Sequence, residues 1–263
     1  MDVITSRDNA ALKLARKLRT KSGRDKEGAF LVEGEKLIAE ARGAGLVVRT
    51  VLRRGTDVAD VLFDEIAQTV TPQGVLAIVE KPKAPIVILR GGEAEVAGSG
   101  PLAVLVLDRI QDPGNVGTMI RTAYAAGFGA VWCVKGTADL WSDKVVRSAA
   151  GALFRFAAGI REGLEAADVL QAARATGLRV VVCEAGGVDY SEVRLAGDGG
   201  GIALVVGNEG AGVSAALRED ADLTVGIPMR EGAESLNAAV SAALVMYEYR
   251  RQVLPDSRVC ARE

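Results

Sequence analysis

The stretch LTVGIPMREGAESLNAAVSAALVMYEYRR, residues 223–251, decides how the chain is organised. It predicts a short strand over 223–227, a loop opened by Pro228, and a long helix that begins near Ser235. A serine at that place can cap free N–H groups, and the carboxylate of Glu234 complements the helix dipole. Apolar and small residues recur at a spacing of three and four along the helix, which is typical of a buried face. The alternative is an ordinary amphipathic helix with a good N-terminal cap.

Two earlier stretches have the same design of a strand, a glycine-containing loop and a helix. They are LDRIQDPGNVGTMIRTAYAAG at 107–127 and LVVGNEGAGV at 204–213. The strands after residue 101 are continuous apolar runs, as expected for a parallel α/β sheet that is covered on both faces. Ligands of open parallel sheets bind at the carboxyl ends of the strands. We therefore expect the three loops to converge on one site.

Composition excludes several kinds of chemistry. The 263 residues are 49% hydrophobic, which is enough for sizeable cores, and they include no histidine. Without histidine there is no Ser-His-Asp or Cys-His catalysis, and nearly all transition-metal sites are excluded. The three cysteines, Cys133, Cys183 and Cys260, are far apart and form no C-x-x-C pair, which argues against a disulfide framework or a zinc site. We expect no metal cofactor.

The sequence also predicts a cytoplasmic protein that does not enter a membrane. No apolar run approaches the roughly 18 residues that a membrane-spanning helix needs. The first residues, MDVITSRDNAALK, lack the apolar segment of a signal peptide.

Charge is distributed unevenly along the chain. The net charge is −2, but residues 1–54 contain 13 Lys and Arg against 7 Asp and Glu. This segment is therefore positive and the remainder negative, which favours an arm or domain that meets a polyanion. No aromatic residues are interleaved, so phosphate contact is the expected mode of binding. The residues predicted to make this contact are Lys13, Arg16, Lys17, Arg19 and Arg24. The alternative is a solvated helix face.

Alternating strand and helix patterns divide the chain into two predicted domains. Residues 1–82 are expected to form a small α/β domain. Residues 83–100, which include the polar, Gly-rich stretch GGEAEVAGSG at 91–100, are the predicted linker, and 101–263 the second α/β domain.

The loops suggest anion and nucleoside binding. Asp112–Gly114 is a predicted turn, Asn115 and Gly117 come just before the next helix, and Arg121 lies one turn into it. A helix N-terminus beside an arginine is a natural phosphate site. The alternative is a turn with a helix salt bridge. Gly207, Gly210 and Gly212 have the spacing G-x-x-G-x-G, which differs from that of dinucleotide-binding loops. Such glycines let backbone atoms approach a ligand closely.

Taken together, the three loops resemble the SpoU/TrmH family of RNA ribose 2′-O-methyltransferases, in the SPOUT superfamily. The matching motifs are Asp112–Gly117 with Arg121, Gly207–Gly210, and Ile227–Met229 with Glu234–Asn237. Upstream, Gly28, Phe30, Glu33, Gly34 and the Gln73–Gly74 turn resemble the ribosomal-protein-like substrate-binding domain of ribosomal-RNA members. Only Arg230–Glu231 departs from the pattern, at a turn where small residues are common, which bears on substrate fit.

The resemblance implies S-adenosyl-L-methionine as cofactor, a deep trefoil knot in the last third of the chain, and a homodimer whose sites are completed by the partner. It implies that Arg121 is the catalytic arginine, supported by Asn115, and that Glu209, Ser235 and Asn237 complete the site. The implied cofactor-binding residues are Leu204, Gly207, Asn208, Ile227, Pro228 and Leu236.

The predicted function is methylation of a ribose 2′-hydroxyl in RNA, with 23S ribosomal RNA favoured by the upstream domain and the basic arm. One alternative is the same reaction on transfer RNA. Another is a non-catalytic RNA-binding or ribosome-assembly protein that retains the fold. A nicotinamide-dependent oxidoreductase on a doubly wound sheet is a third, but the dinucleotide fingerprint is missing after the first strand.

Overall fold

The structure is a computed structural model that describes residues 3–67, 69, 71–82, 101–156, 159–232 and 235–253. The predicted linker, Glu234 and Cys260 lie outside the described residues. None of the described helices is long and apolar enough to cross a membrane.

The elements up to residue 82 are α1 (Ala10–Lys17), α2 (Lys21–Glu27), β1 (Ala29–Glu33), α3 (Glu35–Gly43), β2 (Val48–Arg53), α4 (Asp60–Ile66) and β3 (Val75–Glu80). After residue 100 follow β4 (Ala103–Asp108), α5 (Pro113–Ala126), β5 (Ala130–Val134), α6 (Asp143–Ser148), α7 (Ala152–Arg155), β6 (Ile160–Leu164), α8 (Ala166–Ala175), β7 (Arg179–Asp189), β8 (Ile202–Gly207), α9 (Ala215–Glu219), β9 (Leu223–Gly226) and α10 (Ala238–Val253).

The chain forms two compact units, and one segment belongs to a different unit than the sequence predicts. The first unit combines residues 1–83 with Asp139–Arg155, and the second contains the rest. The sequence had placed α6 and α7 with the second domain. Aromatic packing explains the difference, because Phe30 of β1 lies against Trp141 and Phe154 at ring-centroid distances of 4.8 and 6.0 Å. These rings would otherwise expose large apolar surfaces to water.

The first unit is built on an antiparallel sheet with the strand order β1-β3-β2. Helices α1 and α4 pack together over one face of this sheet. Leu12 and Leu18 from the α1 segment and Phe63 from α4 are fully buried there, together with Leu76 of β3. The predicted small α/β domain is thus observed as an antiparallel sheet with helices on it.

The second unit is a six-stranded parallel sheet with the order β6-β5-β4-β8-β7-β9. Apart from their last residues, the central strands β4 and β8 consist of buried apolar residues. Asp108 is paired with Gly207 where both strands end. Helix α10 packs on α5 and on β7 and β8. The parallel sheet predicted from the continuous apolar runs is confirmed.

Helix α10 begins later than the sequence predicts, and Asn237 is its N-cap. The Oδ1 atom of Asn237 accepts the N–H groups of Ala239 at 2.9 Å and Val240 at 3.3 Å. Asparagine is among the best N-capping residues, so it ends the loop in place of Ser235. Ser235 therefore remains in the exposed loop ahead of the helix.

Candidate active site

A continuous chain of side-chain hydrogen bonds joins the three motif loops. Asn115, after β4, donates its Nδ2 to Oε1 of Glu209, which follows β8, at 3.0 Å. Asn237, which follows β9, donates its Nδ2 to Oδ1 of Asn115 at 3.0 Å. The loops are far apart in sequence, so only the fold brings these three polar side chains to one place at the end of the sheet.

The first turn of α5 holds Asn115 in this position. Asp112 is the N-cap of α5, and its side chain accepts the backbone N–H of Asn115 at 2.8 Å. Pro113 occupies the first helical position, where its missing N–H costs nothing. Asn115 is thereby fixed at the helix N-terminus, with its amide free to bridge Glu209 and Asn237.

The loop after β8 is closed on itself through Asn208. The Oδ1 atom of Asn208 accepts the N–H groups of Gly210 and Ala211 at 3.0 and 2.9 Å. Its backbone pairs with Gly212 in both directions. A Cβ on Gly207 would lie 2.4 Å from the carbonyl carbon of Gly212, so this position requires glycine. The Asn208 side chain is thus engaged inside the loop and with Arg109, and Asn208 stays a predicted cofactor contact.

Glu209 projects from this loop and is held in its ionised form. Burial acts to raise its pKa, but the hydrogen bonds from the Asn115 side chain and from backbone N–H groups outweigh burial, and the pKa is lowered. One of these backbone donors is Gln111, whose N–H lies 3.4 Å from Oε2. Glu209 is therefore a carboxylate acceptor at neutral pH.

Arg121 lies on α5, six residues beyond Asn115, and is exposed. Within the described part of the chain, its guanidinium has no hydrogen bond or ion pair. An exposed arginine without an intramolecular partner is available to a phosphate or to another anion.

Two apolar side chains are exposed in the described part of the loop between β9 and α10. Met229 and Leu236 expose 37% and 41% of their surface. Among the described residues, neither of their N–H groups has a backbone acceptor. Exposed apolar side chains beside free main-chain donors fit a nucleoside cofactor bound largely by the backbone. Ile227 and Pro228 begin the same loop.

Leu204 differs from the other predicted cofactor contacts. It is fully buried inside β8, three residues before the strand ends. Its side chain belongs to the core of the sheet and does not reach the loops.

An open groove of 790 Å³ runs along α5 and α10 beside this network. Its walls include Asn115, Thr118, Asn237, Leu244 and Tyr247. Among the described residues, no group of three or more His, Cys, Asp or Glu side chains could hold a metal ion.

Four of the predicted RNA-binding residues lie on the surface of the first unit in weak local contacts. Lys13 pairs with Asp8 at 2.9 Å, and Lys17 with Glu27 at 3.3 Å. Both Arg16 and Arg19 reach Glu65, through its carboxylate and its backbone carbonyl. Exposed pairs of this kind contribute little to stability, so Lys13, Lys17 and Arg19 can turn to phosphates, whereas the Arg16 side chain is only 33% exposed.

Arg24 has a structural role and does not face RNA. Its side chain is only 7% exposed and forms an ion pair with Asp139, with Nε at 2.8 Å from Oδ2. A further bond runs from Nη1 to the carbonyl of Leu18 at 2.7 Å. The sequence could not reveal this, because Asp139 lies 115 residues away along the chain.

Sequence reasoning missed Arg109 and Thr137. Arg109 has a φ of 59°, which few residues other than glycine adopt, and its N–H donates to Oγ1 of Thr137 at 3.1 Å. No pattern in the sequence marks either residue, since nothing distinguishes this arginine from one in an ordinary loop.

Comparison with known families identifies the chain. The SpoU rRNA Methylase family matches residues 102–247, more than half of the sequence. The chain belongs to the SpoU rRNA methylase family. The MRM3-like substrate binding domain matches residues 9–57, within the first unit.

Several known RNA methyltransferases resemble this chain over nearly its whole length. The Bacillus subtilis 23S rRNA (guanosine(2553)-2′-O)-methyltransferase RlmP is 37% identical over 95% of this chain and 100% of its own length. The AdoMet-bound rRNA methyltransferase from Sinorhizobium meliloti superposes with a TM-score of 0.83 and 31% identity, covering 96% of this chain and 98% of that one. The SpoU methyltransferase AviRb from Streptomyces viridochromogenes, solved with AdoMet, has a TM-score of 0.78 and 30% identity over 93% of this chain and 98% of its own.

Proposed function

We propose that the protein transfers the methyl group of S-adenosyl-L-methionine to a ribose 2′-hydroxyl of 23S ribosomal RNA. The observation that carries this proposal is the bridge Glu209–Asn115–Asn237, which unites the three family motifs at one end of the sheet. The relative from Bacillus subtilis carries the name of this reaction, and it is similar to the chain from end to end.

The cofactor is proposed to lie against the loops after β8 and β9. Gly207, Ile227, Pro228 and Leu236 would hold it, mainly through main-chain groups and exposed apolar surface. Bound there, the sulfonium supplies an electrophilic methyl group. The solved relatives with AdoMet support this choice of cofactor.

The residues of this chain would orient the ribose and stabilise charge. Arg121 cannot act as a base, because guanidinium stays protonated in proteins. It stabilises the negative charge that develops on the 2′-oxygen and grips the adjacent phosphate. Asn115 and Asn237 orient the reacting group, Glu209 holds the amide of Asn115, and Ser235 lies in the same loop. The hydroxyl proton leaves to the phosphate or to water.

The first unit would deliver the RNA. Its match to a substrate-binding domain supports this role, and Lys13, Arg16, Lys17 and Arg19 are the proposed phosphate contacts. Residues 1–82 are proposed as the RNA-binding domain and 101–263 as the transferase domain, with α6 and α7 packed on the first. The proposed place of action is the cytoplasm.

A homodimer is also part of the proposal. Val240, Leu244 and Tyr247 form an exposed apolar stripe on α10, with exposures of 49, 38 and 50%. Their spacing of four and three places them on one helix face. Exposed apolar faces of this kind mark protein interfaces, and most soluble oligomers are symmetric homo-oligomers.

A deep trefoil knot in the last third of the chain is proposed as well. Its support is the path of the chain, which leaves β9 at the edge of the sheet and returns to pack α10 on α5. Pulling the denatured chain by its two ends tests this, since a knotted chain stays shorter than its contour length.

The decisive experiment measures transfer of labelled methyl groups to RNA from cells that lack the protein, followed by mapping of the modified ribose. We expect 23S ribosomal RNA to accept the label and transfer RNA to remain unlabelled. Arg121→Ala should lower turnover by about 10² to 10³-fold, while calorimetry finds unchanged cofactor affinity. Arg121→Lys keeps the positive charge but loses the planar guanidinium group, so this variant should retain only part of the wild-type turnover.

Each alternative has its own signature in this experiment. Labelling of transfer RNA alone would support the transfer-RNA enzyme. Cofactor binding without transfer to any RNA, or no cofactor binding at all, would favour the non-catalytic protein. Full turnover by Arg121→Ala would disprove the role given to the arginine.

A further inference from the structure

The carboxylate of Asp108 is fully buried at the end of β4, directly behind the motif loops. Its Oδ2 accepts the N–H of Ser214 at 2.6 Å, and its Oδ1 accepts Nε of Arg109 at 3.1 Å. Ser214 ends the loop that carries Glu209. A buried carboxylate is retained only when its oxygens are satisfied, so both contacts must persist for the fold to hold it there.

Arg109 holds the same loop at two more points and connects it to the loop of Thr137. Its carbonyl accepts Nδ2 of Asn208 at 2.8 Å, and its Nη2 donates to the carbonyl of Gly212 at 3.3 Å. Its own N–H donates to Thr137, whose Oγ1 in turn donates to the carbonyl of Leu107 at 2.9 Å. The left-handed backbone of Arg109 permits all of these bonds at once, and surroundings of this kind commonly hold such a conformation near functional sites.

Residues 208–214 form a closed loop, because the backbones of Asn208 and Gly212 are hydrogen-bonded to each other within it. Its position is therefore set by its attachments, at Asn208 and Gly212 to Arg109 and at Ser214 to Asp108. Glu209 is the side chain of this loop that accepts the hydrogen bond from Asn115.

We propose that Asp108 is a positioning residue for methyl transfer: with Arg109, it fixes the loop at 208–214 so that Glu209 meets Asn115. This inference rests on the proposed function. Site groups must be held within about 0.5 Å of their productive geometry, which a loop tied at one end does not ensure. Neither Asp108 nor Arg109 contacts the reacting atoms.

A double-mutant cycle tests the proposal. Asp108→Asn keeps the shape of the side chain but removes one acceptor and the charge. We expect it to lower kcat by about 10 to 100-fold, with a small change in the KM for the cofactor. In a Glu209→Gln background, the same substitution should lower kcat less than threefold further, because the carboxylate that it positions is already gone. If the losses in kcat of Asp108→Asn and Glu209→Gln multiplied in the double variant, the two residues would act independently and the proposal would be overturned.

Asp222→Asn is the control for the loss of a carboxylate that accepts a backbone N–H, although Asp222 is exposed and Asp108 is buried. Asp222 also accepts one backbone N–H, from Val180 at 2.7 Å, but at the opposite end of the strands. We expect this variant to lose stability and keep the wild-type kcat, with fully independent losses when combined with Glu209→Gln. Should Asp108→Asn fail to fold, Thr137→Val removes the acceptor of the Arg109 N–H and is expected to show the same coupling with Glu209→Gln.

Hydrogen exchange separates failure of this inference from failure of the proposed function. If the wild-type protein transfers no methyl group, the proposed function is wrong, yet the loop can still be examined. Faster exchange at the N–H groups of Gly210 and Ala211 in Asp108→Asn, but not in Asp222→Asn, supports the positioning role. Unchanged exchange at both, in a folded variant, contradicts it.

Discussion

Asn115 is the residue through which the three loops share hydrogen bonds. Its amide donates to Glu209 and accepts from Asn237, so a single side chain determines the geometry of both neighbours. Such networks rigidify a site when every member is satisfied. The charge on Glu209 is part of this network, because a carboxylate accepts the Asn115 N–H more strongly than a neutral group does.

The lowered pKa of Glu209 leads to a prediction about pH. A lowered pKa means that the contribution of the carboxylate to stability is complete above the ordinary range of a glutamate, near 4.3. It is lost only as the pH falls through the lower value in the folded protein. Asn115→Ala removes a hydrogen bond that lowers this pKa. We therefore expect NMR titration of the Glu209 carboxyl to give a higher pKa in that variant.

Asn237→Ala is the control for this titration. It removes the other partner of Asn115 and leaves the bond to Glu209 in place, so the pKa of Glu209 should change less. Equal changes in the two variants would show that the hydrogen bond from Asn115 is not responsible.

At the scale of elements, two features depend on close approach. The loop after β8 folds back so tightly that Gly207 has no room for a side chain, whereas Gly210 in the same loop does. Helix α10 has an inner face buried on the sheet and on α5, and an outer apolar stripe that no described residue covers.

Gly207→Ala should destabilise the second unit. The added Cβ would lie 2.4 Å from atoms of Gly212 and Val213, so backbone must shift, at a cost of about 1–3 kcal/mol in the free energy of unfolding. Gly210→Ala has its nearest atom at 3.7 Å and should change that free energy by less than about 0.5 kcal/mol. Denaturant titration of both variants measures the difference, and equal stabilities would contradict the loop geometry.

Leu244→Arg should convert the proposed dimer into monomers. It places a charge in the middle of the apolar stripe, and an unpaired charge in an interface core is strongly unfavourable. Gln171→Arg, at an exposed position of α8 away from the stripe, should leave the dimer intact. Sedimentation equilibrium gives the mass in each case. A dimer that survives Leu244→Arg would place the interface elsewhere.

At the scale of the whole molecule, the two units do not follow the order of the chain. Residues 139–155 belong to the first unit and complete its aromatic core, although the residues on either side of them along the chain belong to the second unit. Arg24 and Asp139 add a buried ion pair to that unit. The fluorescence of the two tryptophans reports the unfolding of the two units separately, since Trp141 lies in the first unit and Trp132 in the second.

Phe154→Ala and Phe156→Ala test this division with substitutions two residues apart. Both phenylalanines are buried, but Phe154 packs in the first unit and Phe156 in the second, against Tyr124. Each loss should cost its own unit about 3–5 kcal/mol. In a Trp132→Phe background, Phe154→Ala should lower the unfolding midpoint reported by Trp141. In a Trp141→Phe background, Phe156→Ala should lower that of Trp132. If Phe154→Ala left the midpoint reported by Trp141 unchanged, and Phe156→Ala left that reported by Trp132 unchanged, the division would be refuted.

The sequence by itself determined the parallel sheet, the three motif loops and the family they belong to, because strand patterns, glycine turns and capping residues are local signals. It also excluded histidine chemistry outright. The tertiary structure decided that Asn237 begins α10, that Arg24 is a buried partner of Asp139, and that α6 and α7 pack on the first unit. It also tied Asp108 and Arg109 to the loop of Glu209. Apart from the local cap of α10, these outcomes depend on contacts between residues far apart in the chain, such as Arg24 and Asp139 at 115 positions, which packing selects and no local pattern specifies.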